Sequence, residues 1–144
     1  MYSSDRRRMR QPFLDAWTKG KQKKPLAPIE QMIFEVIRDH PEYHSLLDQP
    51  EFALEADWPP EMGVTNPFLH MSMHLSLREM VQTDRPAGIR SVHSELSLKK
   101  ADPLEAEHEM IDCLGEALWQ AQQNGGPPDE VKLMECLREL CTRR

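Results

Sequence analysis

His70 and His74 stand four residues apart in the stretch NPFLHMSMHLSLREMVQTDRPAGI, residues 66–89. On a helix, positions i and i+4 lie one above the other on a single face, so both imidazoles can aim nitrogens at one ion. A divalent transition metal, zinc, iron or manganese, is the cofactor such a pair would take. A helical wheel places His70, His74 and Arg78 in a polar notch. One apolar stripe beside it holds Leu69, Met73, Leu77, Met80 and Val81, and a second holds Phe68, Met71 and Leu75. A helix that is apolar on two sides is packed on both, so the notch is expected to face protein.

Further donors fall at positions where they need a partner. Glu107 projects into the apolar seam of Leu104, Ile111, Leu114 and Leu118, and His108 borders that seam. His40 shares a face with Ile29, Ile33 and Val36. The candidate metal site is therefore His70 and His74 with Glu107 or His108, joined by His40. A buried carboxylate costs several kcal/mol unless it is paired or ligating, so Glu107 needs an explanation. The competing reading is a metal-free polar network, with Arg78 paired to Glu107 and Glu116 further outward. HxxxH alone is a weak pattern, and the stronger HExxH is absent. No nucleophile elbow, P-loop or dinucleotide fingerprint occurs, and no catalytic residue is assigned.

The elements that must position these groups are helical. Apolar residues recur at i, i+3 and i+4, and strand alternation is nearly missing. Helices are expected over 8–19, 28–39, 66–83, 86–99, 102–123 and from 129 onward, with a short turn over 41–47. Residues 48–65, broken by Pro50, Pro59, Pro60 and Gly63, are expected to form an ordered irregular loop. Asp102 and Asp129 are N-cap candidates, Thr65 or Asn66 precedes Pro67, and NGGPP at 124–128 is the clearest stop. The fold class is all-α, a single-domain helical bundle of about five to six helices over residues 1–144.

Composition bounds the function classes. Apolar residues make up 39% and charged residues 29% of the 144, which suits a chain with a folded core rather than a disordered one. No apolar run reaches the length of a membrane span, and the Arg-rich N-terminus has no apolar signal segment. The three cysteines, Cys113, Cys136 and Cys141, form no CxxC pair and read as reduced thiols of a cytoplasmic protein. Residues 1–24 hold eight basic residues against Asp5 and Asp15, a net of +6. That leaves −12 on the rest of a chain whose formal charge is −6. Arg6, Arg7, Arg8 and Arg10 of this arm are the candidate partner-binding residues, for an acidic protein surface or a nucleic acid. No aromatics are interleaved as stacking platforms, which favours a solvated helix over a nucleic-acid arm.

Three blocks, NPFLHMSMHLSLREMVQTDRPAGI (66–89), HPEYHSLL (40–47) and HEMIDCLGEALWQAQ (108–122), resemble the signature of a bacterial family known only as a domain of unknown function. The resemblance covers nearly the whole chain, including the PPDE turn at 127–130. It implies a small helical cytoplasmic protein and no established activity, and it supplies no catalytic residues. The blocks include His40, His70, His74, Arg78, His108 and Glu116, the residues the wheel picks out. Two functions follow. The chain is expected to be a non-enzymatic helical module that binds a protein or nucleic-acid partner. The alternative is a metal-binding helical bundle, a hydrolase or redox enzyme, with His70 and His74 as ligands. The first is preferred because no base and no substrate pocket can be located from sequence.

Overall fold

The computed structural model describes the backbone of residues 2–63 and 65–143, and side chains over 5–59, 61–63 and 65–143. All regular structure among them is helical. Eight α-helices are present: α1 (Tyr2–Lys21), α2 (Pro28–Arg38), α3 (His44–Leu47), α4 (Pro50–Glu55), α5 (Pro67–Thr83), α6 (Ile89–Lys100), α7 (Pro103–Asn124) and α8 (Glu130–Thr142). Single 3-10 turns occupy Pro41–Tyr43 and Pro60–Met62. The all-α class stands, but the count of five to six is too low. The extra helices lie in the proline-punctuated region from 41 to 62. There Pro41, Pro50 and Pro60 each open a turn, because a first-turn N–H needs no partner. Helices this short show no repeated apolar spacing, so periodicity does not reveal them. No described helix is long and apolar enough to cross a membrane.

The chain forms two compact units, Met1–Leu75 and Ser76–Arg144, with α5 running through the boundary. In the first unit Phe13, Leu14 and Trp17 of α1, Ile33, Val36 and Ile37 of α2, Leu47, Leu54, Phe68 and Met71 form the buried cluster. Trp17 also donates its indole N–H to Asp48 at 2.8 Å. Lys21 and Trp17 together hold the Asp48 carboxyl below its ordinary range, Lys21 being the larger cause. The α2 start is closed by Glu30, whose carboxylate accepts the Ala27 N–H at 2.9 Å. At α5 the cap is Asn66, whose Oδ1 accepts the N–H of Phe68 at 2.9 Å.

In the second unit Leu77, Ile89, Val92, Leu96, Met110, Leu114, Leu133, Leu137 and Leu140 are buried. Asp102 accepts from Leu104 N at 3.0 Å and Asp129 from Lys132 N at 3.1 Å, so both act as the expected N-caps. Gly125 ends α7 with φ of +70°, a left-handed conformation that favours glycine. Cys113 of α7 and Cys136 of α8 are joined by a disulfide, with Cα atoms 5.8 Å apart. This corrects the expectation of three reduced thiols. It also removes the thiol count as a guide to compartment. The pairing joins residues 23 apart on two packed helices, a proximity that no spacing within one helix reveals. Cys141 is the free thiol, and desolvation, with Glu95 second, pushes it up to about 11.

These assignments set a count. Unfolded protein that has never met a reductant should titrate one thiol per chain, and three would exclude the bond. Reduction should lower stability by about 3 kcal/mol, the chain-entropy scale for a loop of this length, read as a shift in denaturant midpoint. In the folded protein Cys141 should alkylate far more slowly than a free cysteine at pH 8, because the thiolate is the nucleophile.

Candidate metal centre

Three of the candidate histidines converge within the first unit. His40 lies just past Asp39, the C-cap of α2, with backbone φ of −126° and ψ of 67°. Pro41 excludes the helical region for the residue before it, so the chain leaves α2 at this point. The His40 side chain turns back along the helix it has left. Its Nδ1–H donates to the carbonyl of Val36 at 2.7 Å. That bond fixes the ring orientation and leaves the lone pair on Nε2.

The α5 face supplies the other two rings, one turn apart. His70 and His74 approach with their Nε2 atoms 3.1 Å apart. His40 lies 4.4 Å from His74 and 5.2 Å from His70, centroid to centroid. One ligating nitrogen from each of the three falls within 4.8 Å of the others. His40 and His74 are fully buried and His70 is half-buried. The wheel's apolar stripe differs from the structure at Leu69, which is exposed. Phe68, Met71, His74 and Leu77 form the buried line of α5. His74 is thus a core position rather than the edge of a notch.

Tyr43 completes the surroundings. Its ring lies parallel to His40 at 5.7 Å and edge-on to His70 at 6.3 Å. Burial, with Glu42 second, pushes its phenol above the ordinary tyrosine value, so the hydroxyl stays neutral at physiological pH. Sequence reasoning passed over Tyr43. The available signal was its place three residues after His40, in the HPEYH block. His44 closes the end of α2 instead. Its ring packs on Trp17 at 4.4 Å, and its Nε2–H donates to Ile37 O at 2.8 Å, capping a carbonyl of the last turn.

The remaining candidates are placed as follows. In the second unit Arg78 Nε donates to both carboxylate oxygens of Glu107, at 3.0 and 3.2 Å, and both side chains are largely buried. The carboxylate in the apolar seam therefore has a cation beside it. His108 lies 3.6 Å from Glu105, one turn away on α7. Glu116 is exposed and accepts from Gln120 at 2.9 Å.

Arg6, Arg7 and Arg10 of α1 point to the 51–57 segment within the first unit. Arg6 donates to Glu55 O at 3.0 Å, and Arg7 reaches the Glu55 carboxylate at 2.5 Å. Arg10 is buried and donates to the carbonyls of Ala53 at 2.9 Å and Ala56 at 2.7 Å. Arg8 is the most exposed of the four, 3.9 Å from Asp5.

The family model described as Domain of unknown function (DUF1841) matches residues 5–139. The chain belongs to that family. No curated protein and no solved structure matches it. In this DUF1841 chain the matched span contains His40, Tyr43, His70 and His74, together with Arg78 and Glu107 of the second unit.

Proposed function

We propose that this DUF1841 protein binds one divalent transition metal through His40, His70 and His74, with zinc as the best-matched ion. The convergence of three ring nitrogens within 4.8 Å, from α5 and the turn that follows α2, carries the reading. The spacing supports it further. At a tetrahedral zinc with Zn–N bonds of about 2.0–2.1 Å, ligand nitrogens lie roughly 3.3 Å apart, close to the 3.1 Å between His70 and His74. An ion would accept both lone pairs, whereas a bare pair can bond only if one ring donates and the other accepts.

The His40 Nδ1–H bond to Val36 is the kind of outer contact that orients a metal-bound imidazole and sets its tautomer. The partner-binding reading has less support, because Arg6, Arg7 and Arg10 are engaged by the 51–57 segment. Elemental analysis of untagged protein tests the proposal. About one equivalent of metal is expected in the wild type. A His70→Ala/His74→Ala variant that folds should carry none. A wild type free of stoichiometric metal, and unchanged in folding by chelator, would sink it.

A further inference from the structure

A cavity of about 500 Å³ opens in the first unit beside the histidines, lined by Tyr43, Phe52 and Trp58 with Leu46, Met62 and Pro67 among its apolar walls. Among the described residues its charged lining side chains are Glu42 and Asp57, both carboxylates, with no Lys or Arg. We propose that this cavity binds an organic cation, a quaternary or alkylated ammonium group on a short apolar stem.

Four observations carry the assignment. The volume suits a small molecule. Three aromatic rings line it, and aromatic rings attract a cation most strongly when its own hydration is weak, as with a methylated ammonium. Glu42 and Asp57 supply charge complementarity. Asp57 is 70% exposed, and its contact with Arg6 is a loose 3.6 Å. Phe52 and Met62 each remain about 60% exposed, so a ligand's methyl groups would cover apolar surface that is now wet. Trp58 already holds the Arg10 guanidinium 5.3 Å from its centroid, so this ring serves as a cation platform within the fold itself.

Tyr43 is the wall shared with the histidines, through its parallel stacking on His40. The cavity reading does not rest on the metal reading, because none of its recognition elements is a histidine.

The test uses full-length protein and an isosteric pair of probes, choline and neutral 3,3-dimethylbutan-1-ol, followed by proton NMR of their methyl groups. Choline is expected to bind at least about tenfold more tightly, since the two differ in charge and hardly in shape. Its methyl resonance should move upfield in the ring currents of the aromatic walls. Phe52→Leu and Glu42→Gln are exposed substitutions that leave the fold intact, and each should weaken choline several-fold while leaving the alcohol unchanged. Trp58→Leu should have the largest effect. Equal binding of the two probes would overturn the cation assignment in favour of a plain apolar pocket. So would choline binding that is indifferent to all three substitutions, or no binding at concentrations on the order of 10 mM.

Discussion

Zinc in roughly thousandfold excess over its dissociation constant should raise the melting temperature of chelator-treated protein by about 10 °C. A ligand bound only by the folded chain stabilises it by about 4 kcal/mol at that excess, and a chain of this size gains a few degrees per kcal/mol. The increment, rather than the absolute melting temperature, reports on the site. His40 and His74 are fully buried, so their replacement also affects packing. His70 is half-buried, and His70→Ala alone should lower the baseline little while removing most of the zinc increment. His40→Asn is the sharper variant, since its amide can still donate to Val36 O but has no ring nitrogen to offer. A full increment in His70→Ala/His74→Ala would place the ion elsewhere. A flat response in the wild type would leave the three rings as a buried hydrogen-bonded cluster.

Arg10→Ala should destabilise the protein by about 3 kcal/mol, the largest expected effect of any single basic residue in α1. The guanidinium donates to the carbonyls of Ala53 and Ala56, with Leu54 O at 3.4 Å, where α4 ends and carries its partial negative charge. It also sits 4.9 Å from the Phe68 ring centroid. Truncation would strand these carbonyls and leave a void against two aromatic rings. Desolvation, then Arg6, lowers the Arg10 pKa, and Asp57 and Glu55 oppose the shift. All three carbonyl contacts run from Nη1, so Arg10→Lys should recover part of the loss through its ammonium and forfeit the part due to the planar guanidinium over Trp58 and Phe68. Arg8→Ala, 79% exposed in its side chain, is the control and should stay within about 0.5 kcal/mol. Equal denaturant midpoints for Arg10→Ala and Arg8→Ala would show that the carbonyl anchor contributes nothing.

What was legible in the sequence is what local geometry dictates. The i, i+4 placement of His70 and His74 follows from helix pitch. The caps at Asp102 and Asp129 follow from side chains bonding their own backbone neighbours, and the stop at 124–128 from glycine's left-handed freedom and proline's missing N–H. Proline, by the same local logic, ends α2 just before His40. Charge counting also marked the arginines of α1 as unusual, but the partners of Arg6, Arg7 and Arg10 lie more than forty residues away, and α4 is too short to leave a periodic trace. The rest was decided by packing. The convergence of His40 on His70 and His74 depends on how α2 lies against the start of α5. The pairing of Cys113 with Cys136 depends on α7 lying beside α8, and that of Arg78 with Glu107 on α5 reaching α7 inside the second unit. Each of these brings together residues about 20 to 35 positions apart. Spacing along a single helix carries no information about which side chains meet across two of them. The sequence by itself determined which groups this protein has available for chemistry, and only the tertiary structure decided which of them share a site.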